Sequence, residues 1–304
     1  LADRGSIPVL TGCTGSGKTA LLLELAEGLR MEVISADSRQ IYRGMDIGTA
    51  KPTPGERNVL PHHLLDIADP DGRYSAGRFA SDARRLVPRI RSRGALPVVA
   101  GGTGLYILAL AGALDPMPGS DPRLRGILGT MESERPGTLM RHLRAIDPDR
   151  AAALHPSDTV RQLRALEVCL LSGRRASSLR RGGTAATRVE CRVAALFVER
   201  DELRRRISGR TAGMLRNGLI EEVRALRAAG WGRESALGGT IGYREVLDYL
   251  DGGIRDMDAL GETISVNTWR LARRQANMYR RIAGLRWVRD AGELAGFMKE
   301  EGWG

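Results

Sequence analysis

Short apolar runs alternate with stretches of helical spacing along most of this chain. Ile7-Pro8-Val9-Leu10, Glu32-Val33-Ile34-Ser35-Ala36, Leu96-Pro97-Val98-Val99-Ala100 and Val193-Ala194-Ala195-Leu196-Phe197-Val198 are short, bounded runs that read as buried strands. After the first, Leu22, Leu25, Ala26 and Leu29 fall at i, i+3, i+4 and i+7, one apolar face of a helix. Phe79, Ala83, Leu86 and Ile90 form a second such face, with Ser75 placed to cap it and Gly94 near its end. Pro88 argues against that helix being unbroken. From Leu114 to about Arg188 the character changes. Asp115-Pro116-Met117-Pro118-Gly119-Ser120-Asp121-Pro122 is a linker by composition, followed by segments rich in Leu, Ala and Arg and by a loop at Arg180-Arg181-Gly182-Gly183-Thr184. The run from Val193 then returns to the first sheet, and the last third is helical, with breaks at Gly230-Trp231-Gly232 and Gly238-Gly239. The expected fold is an α/β core with a parallel sheet flanked by helices, over residues 1–114 and 189–304. A helical insertion occupies 115–188, and further helices close the chain.

Gly12-Cys13-Thr14-Gly15-Ser16-Gly17-Lys18-Thr19 fits the phosphate-loop pattern G-x-x-x-x-G-K-[ST] and lies between an expected strand and an expected helix. Its glycines let successive backbone N–H groups turn inward around an anion at a helix N-terminus. Lys18 adds a mobile positive charge, and the Thr19 hydroxyl is placed to hold Mg²⁺. This makes the core phosphate-loop NTPase-like, with a di- or triphosphate as ligand. Asp37 closes the second strand and faces the same crevice. A metal partner, a general base and a turn or capping carboxylate are all open to it. The following stretch to Pro52 is long, polar and poorly periodic, a substrate-facing segment rather than a core one. The strand ending at Ala100 runs into Gly101-Gly102-Thr103 with no carboxylate. Either this is a common Gly-Gly turn, or backbone and a short hydroxyl approach a ligand there.

Composition narrows the classes. The 304 residues allow one or two domains with ample core, and no apolar run approaches a membrane span. Leu1-Ala2-Asp3-Arg4 has no targeting layout. Cys13, Cys169 and Cys191 lack C-x-x-C spacing and histidines number four, so a structural zinc site is not expected and the cytoplasm is the expected compartment. The formal charge of +11 comes from 47 Lys+Arg against 36 Asp+Glu. It fits a polyanionic second substrate, or simply an arginine-rich composition. Within the insertion, Arg123, Arg125, Arg161 and Arg164 are candidate phosphate contacts or solvated charges. His155, before Pro156 and Asp158, fits a helix-initiating turn better than a general base. In Thr263–Leu285 one face carries Ile264, Thr268, Leu271, Gln275, Met278 and Ile282, and another carries Arg270, Arg273, Asn277, Arg280 and Arg281. The basic face could follow a nucleic-acid backbone or merely be solvated. Gln275 interrupts the apolar stripe and needs partners. Phe and Tyr are scarce, which argues against an aromatic platform for single strands.

The run Asp37 to Pro52, joined to this phosphate loop, closely resembles the tRNA dimethylallyltransferases (tRNA isopentenyltransferases). The similarity continues at Pro61-His62-His63-Leu64-Leu65-Asp66, Tyr74-Ser75-Ala76, Gly101-Gly102-Thr103-Gly104-Leu105-Tyr106, His155-Pro156-Ser157-Asp158, Arg164-Ala165-Leu166-Glu167, Ile241-Gly242-Tyr243-Arg244-Glu245 and Ala272-Arg273-Arg274-Gln275. It spans nearly the whole chain with the motifs in order. The resemblance implies transfer of a dimethylallyl group from dimethylallyl diphosphate to N6 of the adenosine immediately 3′ of the anticodon, in tRNAs reading U-initial codons. It implies diphosphate and nucleotide binding by Gly12, Cys13, Thr14, Gly15, Ser16, Gly17, Lys18 and Thr19. Asp37 is then the base, and Thr103 helps hold the bridging oxygen of the leaving group. The tRNA contacts implied are Asp37, Ser38, Arg39, Gln40, Thr103, Arg125, Arg161, Gln162, Arg164, Gly242, Tyr243, Arg244, Arg273, Arg274, Gln275 and Arg280. The insertion is expected to close over the anticodon arm, Mg²⁺ to be the cofactor and a monomer to be the working unit. Four residues depart from the pattern: Cys13 stands for proline, Ser157 for asparagine, Trp269 for arginine and Met278 for an aromatic. A small-molecule phosphotransferase, and an RNA-binding module with a vestigial phosphate site, are the alternatives from other classes.

Overall fold

The structure is a computed structural model that describes residues 5–113, 117–179, 189–280, 282 and 284–303. Part of the linker (Asp115, Pro116), the loop Arg180–Thr184 and the first four residues lie outside the described residues. The elements are β1 (Ile7–Gly12), α1 (Lys18–Ala26), β2 (Met31–Ser35), α2 (Pro54–Val59), β3 (His62–His63), α3 (Ala76–Ser92), β4 (Leu96–Ala100) and α4 (Gly104–Leu110). Then follow α5 (Pro122–Glu134), α6 (Thr138–Ile146), α7 (Pro148–Ala152) and α8 (Thr159–Ser172). The chain continues with β5 (Cys191–Leu196), α9 (Arg200–Arg216), α10 (Leu219–Ala228), α11 (Tyr243–Leu250), α12 (Met257–Tyr279), β6 (Arg286–Val288) and α13 (Ala291–Glu300). Two compact units result, Leu1–Ala111 with Val189–Gly304, and Gly112–Arg188.

In the larger unit the strands form one parallel sheet in the order β3-β2-β4-β1-β5-β6. Successive residues face opposite sides, so both faces of each inner strand must be apolar. Leu10, Val33, Val98 and Leu196 pack beneath α1 and α13, whereas Val9, Ile34, Val99 and Val193 pack against α3 and α4. Sequential strands depart from β1 in opposite directions, toward β2 and toward β5. The carboxyl ends of β1, β2 and β4 therefore border the crevice where such phosphate-loop NTPase-like sheets hold ligands.

Several local expectations change. Helix α1 stops at Ala26, so Leu29 packs on the core from the turn beyond it. Helix α3 runs unbroken through Pro88, because the ring lies on the exposed face, where water can take up the carbonyl it frees. The short strands β3 and β6 had no apolar run to announce them. The largest change concerns the stretch from Asp37 to Pro52. Its Ile41, Tyr42 and Met45 are almost fully buried against α10 and α11, so this polar-looking segment has its own core. Lys51, buried at its tip, donates to Asp46 Oδ1 and Asp66 Oδ1, each at 2.5 Å, and to the Tyr42 carbonyl at 2.7 Å. Arg57 donates to the second Asp66 oxygen at 2.9 Å.

The smaller unit packs α5, α6, α7 and α8 around Leu139, Leu143 and Leu166. Aspartates begin three of these helices: Asp121, Asp147 and Asp158 each accept from backbone N–H groups of the first turn. Glu167 is fully buried and receives Arg125 Nε and Nη2, both at 2.9 Å, Arg164 Nη1 at 2.5 Å and the Asp121 N–H at 2.7 Å. Burial by itself raises a carboxyl pKa; here the hydrogen bonds from Arg125 and Arg164 overcome it and hold Glu167 at about 2. Glu167→Gln leaves two guanidiniums against a neutral amide and should cost on the order of 3 kcal/mol, read as a shift in urea unfolding at pH 7. A depressed pKa stabilises above the ordinary 4.5 and ceases to as pH falls toward 2. The two unfolding curves should therefore converge across that interval.

Candidate active site

The turn after β1 is shaped by Gly15 at φ +79° and Gly17 at φ +99°, in the left-handed region that favours glycine. The Ser16 N–H donates to the Cys13 carbonyl at 3.1 Å, and Gly17 opens α1, whose first N–H groups point into the crevice. Lys18 Nζ folds back and donates to the carbonyls of Gly12 at 2.8 Å and Cys13 at 3.0 Å. Burial draws its pKa down to about 8, with Asp37 opposing that shift and Arg210 adding to it. A cavity of about 820 Å³ opens here, lined by Thr14, Gly15, Gly17, Lys18, Thr19 and Asp37 among others. A second cavity of about 640 Å³ is lined by Ser38, Arg39, Thr103, Arg244, Arg274 and Met278. The two share Thr14, Asp37, Thr49, Gly102, Arg210, Met214 and Gln275, so they meet at Asp37.

The strand ends at this junction touch. A Cβ on Gly101 would lie 2.3 Å from the Ala36 carbonyl carbon, so only glycine lets β4 run this close to β2. The Thr103 N–H donates to the Ala36 carbonyl at 3.0 Å, and its Oγ1 accepts the Ser38 N–H at 2.9 Å and donates to Ser38 Oγ at 3.2 Å. Asp37 Oδ1 accepts the Arg39 N–H at 2.8 Å, which fixes the carboxylate, and Oδ2 has no donor among the described residues. Gln275 closes the arrangement from α12. Its Oε1 accepts the Thr14 N–H and its Nε2 donates to the Gly102 carbonyl, both at 2.9 Å. Tyr279 Oη lies 3.0 Å from the Gly102 carbonyl and 3.2 Å from that of Gly12.

Arg210 on α9 had no signal of its own, being one arginine among many on its helix. It lines both cavities, burial lowers its pKa and Asp37 raises it, so a desolvated cation faces the carboxylate. Other expected contacts also have partners within the protein. Tyr243 is fully buried, and its hydroxyl donates to Glu222 Oε1 at 2.5 Å. Glu222 in turn accepts the N–H groups of Asp46, Ile47 and Gly48. Gly242, at φ +95°, starts α11, and Arg244 donates to the buried Glu245 at 2.6 Å from the rim of the second cavity. Gln40 accepts from Ser35 Oγ and donates to the carbonyls of Thr49 and Ala50. In the smaller unit Gln162 is fully buried and donates to the His155 and Pro156 carbonyls, closing the helix-initiating turn. Arg125 and Arg164 are committed to Glu167, whereas Arg161 is exposed beside Asp158.

Of the expected basic face on α12, Arg273, Asn277 and Arg280 line a third cavity with Trp269, away from the junction, whereas Arg270 lines the second with Arg274, Gln275 and Met278, and Arg281 lies outside the described residues. The four departures are accommodated. Cys13 Sγ donates to the Ala272 carbonyl at 3.3 Å. Ser157 Oγ meets His155 Nδ1 at 2.7 Å. Trp269 lies under Arg204 at 4.8 Å. Met278 Cε comes 1.8 Å from where a Cβ on Gly104 would sit, so glycine and methionine fit each other.

A divalent cation has suitable donors. Thr19 offers a hydroxyl without a hydrogen-bond partner among the described residues, Asp37 a free carboxylate oxygen, and both line the first cavity. Mg²⁺ takes one or two such protein oxygens and fills its shell with phosphate and water.

The profile described as IPP transferase matches residues 40–282. Proteins named tRNA dimethylallyltransferase are similar over most of the chain. That of Geobacter sulfurreducens is 43% identical over 288 residues, covering 94% of this chain and 92% of its own. That of Halorhodospira halophila is 47% identical over 251 residues, 81% of each. The solved tRNA isopentenylpyrophosphate transferase of Bacillus halodurans superposes with TM-score 0.71 at 35% identity, covering 98% of this chain and 97% of that one. A eukaryotic dimethylallyltransferase described as acting on tRNA superposes with TM-score 0.79 at 26% identity, covering 96% and 75%.

The charge of Lys18 sets an expectation for anion binding. Above a pKa of about 8 it is progressively neutral, so pyrophosphate affinity should fall by about tenfold per pH unit there, until the bound form also titrates. In Lys18→Met, calorimetric affinity should be lower at pH 7 and lack this component, with the two profiles converging above about pH 9. Parallel profiles would place the titrating group elsewhere.

Proposed function

Because the chain belongs to the tRNA dimethylallyltransferase family, we propose that it moves the dimethylallyl group of dimethylallyl diphosphate onto N6 of the adenosine immediately 3′ of the anticodon, in tRNAs reading U-initial codons. The observation that carries this is the meeting of two cavities at Asp37, one floored by the phosphate loop and one open to a base. The diphosphate lies on the N–H groups at the start of α1, with Lys18 and Arg210 countering its charge. Lys18 exchanges its two loop carbonyls for phosphate oxygens. The adenine enters from the side of Ser38, Arg39 and Arg274, flipped out of its loop because a stacked base cannot reach a buried donor.

In the transfer, the bond from the allylic carbon to the bridging oxygen breaks and a bond from that carbon to N6 forms. The free Asp37 oxygen takes the N6 proton, and diphosphate leaves with the electron pair. The Thr103 hydroxyl proton, now on Ser38, turns to the bridging oxygen as it gains charge. Thr19 would hold Mg²⁺, with phosphate and water filling the rest of its shell, and the ion would supply further positive charge beside the departing diphosphate. The insertion supplies a second surface to the anticodon arm through exposed cations such as Arg123 and Arg161. In this reading Gln162 and Tyr243 act by shaping the protein, not by touching RNA. The working unit is a monomer in the cytoplasm; no helix among the described residues is long and apolar enough to cross a membrane.

Labelled dimethylallyl diphosphate, Mg²⁺ and unmodified tRNA should give labelled tRNA, and no label when the adenosine 3′ of the anticodon is replaced. Label in free AMP alone, or phosphate release from ATP without transfer, would overturn the assignment. Asp37→Ala should lower transfer by about 10²–10⁴-fold, the usual contribution of a positioned base, with tRNA affinity kept within a few-fold. Near-normal turnover in that variant would remove Asp37 from the role of base.

A further inference from the structure

On the side of α12 away from Asp37, the carboxyl ends of β5 and β6 border a third cavity of about 750 Å³. It shares no lining residue with the two that meet at Asp37. Its volume is that of a ligand pocket, and strand ends are where parallel sheets hold ligands. Three aromatic rings gather there although Phe and Tyr are scarce: Phe197, Trp269 and Trp287. Phe197 and Trp287 stand edge to face with centroids 6.2 Å apart, and remain 36% and 41% exposed. Guanidiniums lie over these rings, Arg289 at 5.8 Å from Phe197 and Arg200 at 5.8 Å from Trp269. The lining sets Arg200, Arg273, Arg280 and Arg289 against Glu199 and Glu293, a surplus of two positive charges. Among the described residues Arg200, Arg273 and Arg280 have no carboxylate partner.

Exposed rings beside unpaired guanidiniums suit a planar group carrying an anion, the combination by which proteins hold a base and its phosphate. We propose that this cavity is a second nucleotide site, distinct from the reaction cleft. The base lies against Trp287, and the phosphate is held by Arg273 and Arg280. The floor is formed in part by Cys13 and Ser16, the back of the phosphate loop. The nucleotide is either free or one unit of a single-stranded RNA, and the chemistry of recognition is the same for both.

Calorimetric titrations of the full chain, in saturating pyrophosphate to fill the phosphate loop, separate these sources. The probes are AMP and a seven-nucleotide single-stranded RNA. The variants are Trp287→Ala, Arg273→Ala/Arg280→Ala and the conservative Trp287→Phe. If the ligand is a free nucleotide, AMP should bind the wild type and weaken at least tenfold in the first two variants, with Trp287→Phe restoring most of the affinity. If it is an RNA unit, the same pattern should appear with the RNA and not with AMP. Pyrophosphate affinity and melting temperature equal to wild type would show that the variants are folded. In folded variants, affinities unchanged for both probes would overturn the second site, whatever the outcome of the transfer assay.

Discussion

The arrangement rests on one side-chain amide. Gln275 accepts a hydrogen bond from the phosphate loop at Thr14 and donates one to the β4 loop at Gly102. These are two backbone segments far apart in sequence, each at the open end of a strand where the sheet no longer holds its neighbours. An amide has a donor and an acceptor on one planar group, so it can bridge an N–H and a carbonyl at once. Neither a carboxylate nor an ammonium can do so. Tyr279, one turn further along α12, reaches the carbonyls of Gly102 and Gly12 and adds a second tie. With Gly101 against Ala36 and Thr103 against Ser38, the ends of β1, β2 and β4 become a single platform.

That platform fixes the electrostatics. Lys18 and Arg210 are both desolvated, both have lowered pKa values, and both are partly compensated by Asp37. Two cations held near one carboxylate, with one carboxylate oxygen uncommitted, leave room for more negative charge. The diphosphate proposed above would supply it. Charge balance at the junction is thus the property of one cluster.

The segment from Asp37 to Pro52 carries this cluster because it is anchored at its far end. Ile41, Tyr42 and Met45 are buried, and the Lys51 ammonium is divided between Asp46 and Asp66. Tyr243 and Glu222 hold the backbone of Asp46, Ile47 and Gly48 from α11 and α10. The ring also fills the space that a side chain at position 48 would need, a Cβ there coming 2.3 Å from it. Tyr243, which resembles a substrate contact by motif, is thus also part of what holds this polar loop in place.

The sequence by itself determined the elements that depend on local or two-sided constraints. Strands β1, β2, β4 and β5 are buried on both faces, so their apolar runs are continuous and could not be misread as amphipathic. The phosphate loop was legible because its glycines, lysine and threonine act through backbone geometry within a few residues. Asp37 was legible from its place at a strand end. Tertiary structure decided what depends on partners distant in the chain. Arg210 becomes a site residue only because α9 packs beside the phosphate loop. The arginines of α12 separate into two cavities because different neighbours cover its two sides. Arg125 and Arg164 read as free cations until Glu167 is seen buried between them. A charged or apolar side chain has the same local spacing whether it meets water, a counter-ion or a ligand, and only the packed neighbours distinguish these.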